Sequence, residues 1–219
     1  MKQTLEADNM WLEYNGRKIL QSIYLKIEVG RVVGLLGRNG SGKSSLLRMI
    51  FGTLRGQNQS VRVNKKFIAH PYLEKGLIRY LPQHKFVPTE LKIKKLCCLY
   101  QVSFSEMANH FPALKKYENE PVDRLSGGEI RFFETLLILL SPVPFVLLDE
   151  PFTHLAPVMV EELANIIKAQ KQNKAIVLSD HSFQKVLDLS DDIYLIVPVG
   201  RSILLKNPAA DLKSFGYTN

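Results

Sequence analysis

Gly37-Arg38-Asn39-Gly40-Ser41-Gly42-Lys43-Ser44 comes directly after the apolar run Arg31-Val32-Val33-Gly34-Leu35-Leu36 and satisfies G-x-x-x-x-G-K-[ST] at every position. A short, partly β-branched apolar run reads as a buried strand, and Ser44-Ser45-Leu46-Leu47-Arg48-Met49-Ile50 as the helix after it. Gly37, Gly40 and Gly42 let the backbone close around an anion with its N–H groups turned inward. The helix N-terminus adds partial positive charge where phosphate would sit. Lys43 would reach the β- and γ-phosphates, and the Ser44 hydroxyl would hold Mg²⁺. The stretch predicts a nucleotide site.

Composition sets the frame around that loop. A chain of 219 residues, 46% hydrophobic and 23% charged, is expected to form one large domain, or one domain with a subdomain, of an ordinary soluble protein. Met1 to Asp8 lacks the apolar centre of a signal peptide. The longest apolar tract, Thr135 to Leu148, is interrupted by Ser141, Pro142 and Pro144 and is too short to span a bilayer. The adjacent Cys97 and Cys98 offer neither a disulfide framework nor metal spacing, which suits a reducing cytoplasm. The net charge is +8, and between Val61 and Glu120 there are 11 Lys/Arg against five Asp/Glu, a local balance of +6. Such an excess serves nucleic acid, an anionic membrane or solubility equally well. No RNP, zinc-finger or helix-turn-helix pattern accompanies it.

Outward from the loop, Leu5–Tyr14 and Ile19–Val29 read as antiparallel strands around the turn signal Asn15-Gly16. Residues 52–70 suggest short strands, and Ile78–Leu81 is another, ended by Pro82 and then Gln83. Residues 84–124 change character: Leu91–Tyr100 and Phe104–His110 read as helices of a small insertion. A long apolar helix, Glu129 to Leu140, precedes a buried strand, Phe145–Leu148. Helix Val158–Lys171, strand Ala175–Leu178 and helix Phe183–Leu189 come next, with Ile193–Val197 and Ser202–Leu205 as closing strands. Strands alternating with helices predict an α/β fold with a mostly parallel sheet covered on both faces.

Two further stretches carry chemistry. Phe145–Leu148 delivers Asp149 and Glu150 to the end of a strand, where one carboxylate can hold Mg²⁺ and the other polarise the attacking water. Leu125-Ser126-Gly127-Gly128-Glu129 joins a hydroxyl, backbone N–H groups and a helix start into a second anion-binding surface. Two phosphate cradles in one chain suggest a nucleotide shared between two chains. Here the sequence resembles the ATP-binding subunits of ABC transporters, whose signature is this LSGG[QE], and the resemblance covers nearly the whole chain in order.

That resemblance implies the ABC ATPase fold: a single domain over residues 1–219, with a P-loop NTPase (RecA-like) core, an antiparallel β subdomain at the N-terminus and a short helical insertion at about 84–124. It implies that ATP is bound by Tyr14, stacked on adenine, and by Gly37, Arg38, Asn39, Gly40, Ser41, Gly42, Lys43, Ser44 and Ser45. Gln83 is placed like the Q-loop glutamine, Phe145–Asp149 like Walker B, Glu150 like the catalytic glutamate and His181 like the switch histidine. Mg²⁺ would be held by Ser44, Gln83 and Asp149. Leu125, Ser126, Gly127, Gly128 and Glu129 would hold the ATP of a partner subunit in a head-to-tail homodimer, or in a heterodimer with a related ATPase subunit. A separately encoded membrane permease would dock beside the helical insertion, giving a peripheral location on the inner face of the cell membrane, with no nucleic acid expected. The other reading that the charge leaves open is a soluble ABC ATPase acting on nucleic acid, ribosomes or protein assembly. Leu178–Ser182 is similar to the lipopolysaccharide-export and branched-chain amino-acid branches, too short a stretch to choose between them. Three positions depart from the family pattern: Ala156 where the D-loop has aspartate, and Phe132 and Leu137 where arginines are common.

Overall fold

The computed structural model describes residues 2–198 and 200–217. Strands β1 (Thr4–Tyr14) and β2 (Arg17–Glu28) pair antiparallel, with Tyr14 opposite Arg17. Asn15 and Gly16 between them have φ of 48° and 78°, the left-handed pair that a two-residue hairpin needs. Burial alternates along both strands but changes phase once in each. Leu5 and Ala7 point inward before Asn9, Met10 and Leu12 after it; Leu20 points inward before Ser22, and Ile23, Leu25 and Ile27 after it. Asn9 and Ser22 both have φ of 50°, and the register shifts between Ala7 and Met10, so bulges reset the pleat.

The P-loop lies between β3 (Val32–Gly37) and α1 (Lys43–Phe51). Next come β4 (Asn58–Val63), β5 (Lys66–Phe67) and β6 (Ile78–Leu81), and then the insertion with α2 (Ile93–Leu99), α3 (Phe104–His110) and 3-10 turns at Pro112–Tyr117 and Val122–Arg124. The remainder runs α4 (Gly127–Leu140), β7 (Phe145–Asp149), α5 (Pro157–Gln170), β8 (Ala175–Ser179), α6 (Phe183–Leu189), β9 (Asp192–Ile196), β10 (Ser202–Leu204) and α7 (Pro208–Ser214). Helix α7 lies beyond the last strand expected from the sequence. Its signals are local: Asn207 caps it by accepting from the Ala210 N–H, and Pro208 occupies the first turn.

Two sheets result, ordered β2-β1-β4-β5 and β10-β9-β3-β8-β7-β6. The first is antiparallel; in the second only β10 runs antiparallel to its neighbour. Central strands of the second sheet divide their side chains between two cores. Val33, Leu35, Phe145, Leu147 and Val177 pack with α1 and the antiparallel sheet, while Val32, Leu36, Val146, Leu148, Ile176 and Leu178 pack toward α4, α5, α6 and the insertion. With both faces covered, the strands read as apolar runs and not as alternations. Apolar residues of the insertion, among them Ile93, Leu96, Met107 and Leu114, belong to the same cluster as the sheet face.

Helix α4 is the centre of that cluster, and every residue from Ile130 to Leu140 is buried. This accounts for two departures from the family pattern. Phe132 packs edge-on against Phe111 of the insertion, with ring centroids 5.3 Å apart at 77°, and Leu137 is fully buried. An arginine at either place would bury a charge that needs partners.

Ala156, the third departure, is the N-cap residue of α5, and no side chain there accepts from the helix N–H groups. Ala156→Asp supplies the missing acceptor, and is expected to stabilise the fold by about 1 kcal/mol, raising Tm by roughly 2–4 °C for a chain of this size. Thermal unfolding of the variant beside the parent checks this; an unchanged Tm would mean that α5 is already satisfied.

Candidate functional site

The parallel neighbours β3-β8-β7-β6 end side by side on one edge of the sheet. Their C-terminal ends deliver, in that order, the P-loop, Asp180 and His181, Asp149 and Glu150, and Pro82 and Gln83. Such an edge is where ligands of open α/β sheets bind. A cleft of about 510 Å³ lies there, lined by Tyr14, Ile19, Asn39, Gly40, Ser41, Gly42, Lys43, Ser44, Ser45, Gln83, Glu150 and His181. Of the nucleotide-site residues expected from the sequence, Gly37, Arg38 and Asp149 do not line it. Gly37 begins the loop, Asp149 lies beneath it, and Arg38 turns its guanidinium toward the Tyr217 ring, 5.9 Å from the centroid.

The loop is shaped for an anion. Gly40 and Gly42 have φ of 74° and 98°, and a Cβ at Gly42 would stand 2.8 Å from Leu20 Cδ2, so β2 packs directly on the loop. Helix α1 begins at Gly42 with no side-chain cap and no acidic residue in its first turn. Its first N–H groups and its dipole are left for a ligand. Lys43 Nζ donates to Gly37 O at 2.8 Å and to Arg38 O at 3.3 Å. Burial lowers the Lys43 pKa, against the opposing pull of Glu150, Asp149 and Asp180.

The carboxylates are held differently. Asp149, 1% exposed, accepts from Ser179 Oγ at 2.9 Å and from Tyr80 Oη at 3.0 Å. Glu150 faces the cleft with Gln83 Nε2 donating to Oε2 at 3.0 Å and His181 Nε2 2.9 Å from Oε1. Its backbone is left-handed, with φ of 53°, an uncommon state for a non-glycine residue and one that must be fixed by its surroundings. The Asp180 carboxylate accepts the N–H groups of Phe152 at 3.1 Å and Ser182 at 2.9 Å.

None of Leu125–Glu129 lines this cleft. Ser126 caps α4 through a capping box: Ser126 Oγ accepts from the Glu129 N–H at 3.4 Å, and Glu129 Oε2 accepts from the Ser126 N–H at 2.8 Å. The box uses two donors and, among the described residues, leaves the Gly127 and Gly128 amides and the Ser126 hydroxyl proton unspent. Gly128 passes so close to the loop after Glu150 that a Cβ there would stand 2.7 Å from His154 O.

A family model described as ABC transporter matches residues 20–153, more than half of the chain. The chain belongs to the ABC transporter family. It is accordingly an ATP-binding, ATP-hydrolysing subunit of the ABC type, with the mixed α/β fold of that family. This ABC ATPase is 27% identical to the lipopolysaccharide export system ATP-binding protein LptB of Haemophilus influenzae, over 93% of its own length and 90% of that protein's. It is 25% identical to the high-affinity branched-chain amino acid transport ATP-binding protein BraG of Pseudomonas aeruginosa, over 94% of each chain. A solved structure of the ATP binding subunit of an ABC transporter matches its fold with a TM-score of 0.81 at 22% identity, covering 97% of this chain and 93% of that one.

Three of the groups that hold the acidic pair are not among the residues expected from the sequence. They are Tyr80 and Ser179 on Asp149, and Arg131, whose guanidinium reaches the carbonyls of Asp149 and Glu150. Arg131 is detectable as a charge inside a largely apolar helix, since such charges persist only with partners. The hydroxyl partners carry no such signal.

Tyr14 lines the mouth of the cleft and is 50% exposed. Tyr14→Ala is expected to weaken ATP binding by about 1–2 kcal/mol, or roughly 5–30-fold, while Tyr14→Phe retains it. Titration with a fluorescent ATP analogue checks both variants.

Proposed function

We infer that this ABC ATPase drives transport through a separate membrane permease by closing head to tail, as a dimer, on two ATP molecules. The observation that carries the reading is the position of Leu125–Glu129. Its unspent Gly127 and Gly128 amides and Ser126 hydroxyl lie outside the cleft that contains this chain's own P-loop. They suit the phosphates of a nucleotide held by another copy or a close relative.

Within one half-site, Tyr14 would stack on adenine, while the P-loop amides and the bare N-terminus of α1 take the triphosphate. Lys43 exchanges its two carbonyl contacts for phosphate oxygens. The oxygen donors fit Mg²⁺: the Ser44 hydroxyl suits a direct contact, and Asp149, with both carboxylate oxygens already engaged, suits one through water. When bound, the ion would neutralise charge on the β- and γ-phosphates. Glu150 orients a water and takes its proton as the water oxygen bonds to the γ-phosphorus and the β–γ bridge breaks. Gln83 and His181, both on the Glu150 carboxylate, fix its direction, and His181 would turn to the γ-phosphate once ATP is present.

A groove between the core and the insertion, lined by Phe51, Thr53, Arg79, Tyr80, Pro82, Phe86, Leu99, Tyr100 and Ile138, offers the permease an apolar seat. Leu99 in it is 59% exposed and adds apolar surface to the groove. Among the described residues no helix is long and apolar enough to cross a membrane, so the protein would sit against the permease at the inner face of the cell membrane. Similarity to both a lipopolysaccharide-export and an amino-acid-transport protein supports the motor role and leaves the cargo to the permease.

Glu150→Gln preserves the shape of the side chain and removes its basicity. The variant is expected to bind ATP, lose hydrolysis by about 100-fold or more, and elute as an ATP-dependent dimer on size exclusion. Hydrolysis at the parent rate would sink the assignment of Glu150, and an ATP-bound monomer would sink the shared site.

A further inference from the structure

Helix α4 carries two charged side chains in its buried stretch, Arg131 and Glu134, 6% and 0% exposed. Three residues apart, they share one face of the helix. Arg131 acts as a clamp: Nη1 donates to Pro82 O at 2.7 Å, and Nη2 to Asp149 O at 2.6 Å and Glu150 O at 2.9 Å. Glu134 Oε1 accepts the N–H groups of Phe86 at 2.7 Å and Val87 at 3.1 Å. Both ends of the segment that carries Gln83 are therefore tied to one helix face. The same guanidinium grips the backbone of Glu150, the residue that the Gln83 side chain also holds.

The two charges are turned toward these backbones more than toward each other. Arg131 Nη1 and Glu134 Oε2 are 3.8 Å apart, beyond hydrogen-bonding distance, and Arg131 Nε and Glu134 Oε2 are buried without a hydrogen-bond partner among the described residues. Burying charges in this way is an expensive means of filling space, which the adjacent Phe132 and Phe133 do with apolar atoms. The pair does, however, fix the relative position of three segments: the start of α4, the stretch from Pro82 to Val87, and the exit of β7. At that exit Glu150 keeps its left-handed φ of 53°, a conformation that relaxes unless its neighbours hold it. Pro82 and Phe86, on which the pair pulls, also line the groove between core and insertion.

The geometry points to Arg131 and Glu134 as a positioning pair that orients Glu150 according to the placement of the Pro82–Val87 segment, so that hydrolysis, and not ATP binding, answers to pressure on the groove. The inference rests on the reading of Glu150 as the hydrolytic carboxylate.

Arg131→Lys tests it. The variant keeps the charge, but one ammonium cannot span Pro82 O and the two carbonyls at the exit of β7. Its kcat for ATP hydrolysis is expected to fall about tenfold or more, with KM for ATP and affinity for a fluorescent ATP analogue within about twofold of the parent. In a cycle with Gln83→Ala the two effects should not add, since both act on the same carboxylate. Arg131→Lys hydrolysing at the parent rate, a loss of ATP affinity that parallels the loss of kcat, or additive effects in the cycle would each overturn the inference. Should Arg131→Lys fail to fold, Glu134→Gln gives the same readout, because a neutral acceptor grips the Phe86 and Val87 amides less firmly. An effect of about threefold on kcat alone supports the pair, and an unchanged kcat overturns it. Glu150→Gln separates the two levels. If that variant hydrolyses normally, the reading beneath this inference fails; if it is inactive while Arg131→Lys is normal, only this inference fails.

Discussion

A parallel sheet buried on both faces leaves its strand ends as the only part open to chemistry, and this constraint shapes the molecule. Val146 and Leu148 face one core while Phe145 and Leu147 face the other, so β7 has no side chain free until Asp149 and Glu150. The same holds for β3 before the P-loop and for β8 before Asp180 and His181. Strand order then decides which ends meet. Because β8 separates β3 from β7, His181 emerges between the phosphate loop and the acidic pair. Polar groups at such an edge are partly buried and must be satisfied there. Hence Asp149 is bound by two hydroxyls, and Glu150 by an amide and an imidazole.

Two helix N-termini in the chain are finished in opposite ways, and the contrast separates their roles. Helix α1 begins at a glycine with neither cap nor acidic residue, so its positive end has no internal answer. Helix α4 has a complete capping box, and the Glu129 carboxylate offsets part of its dipole. The first is open to a highly charged ligand. The second is largely satisfied by its own cap, with a few donors in reserve, which supports the proposed role of a surface that meets its ligand on association.

Much of this is legible in the sequence. The P-loop, the acidic pair and the two-core sheet are written in local patterns: glycine spacing, apolar runs and the polar residues that end them. Helix α3 and helix α6 have the bounds expected from periodicity. The phase changes at Asn9 and Ser22 are harder, because a bulge reads as a blurred alternation unless its two halves are scored separately. Helix α7 is inconspicuous although Asn207 and Pro208 mark its start, since its apolar content is small. The tertiary ties are the least visible. That Tyr80 and Ser179 meet at Asp149 depends on strands 69 and 30 residues away in the chain, and no local pattern encodes such pairings. The buried Phe132 and Leu137 are visible as departures, but their reason, the packing of α4 within a single core with the insertion, is a property of the fold.

The contacts of Lys43 have a consequence for turnover. The Lys43 ammonium already has Gly37 O and Arg38 O as acceptors, so in the proposed site a triphosphate would compete with the loop's own carbonyls. Only the difference between the two sets of contacts appears as affinity. As the number of phosphate charges falls after hydrolysis, that difference shrinks, and the carbonyls stand ready to take the lysine back. On that reading, the carbonyls that compete with the incoming triphosphate would also ease release of the nucleotide after hydrolysis.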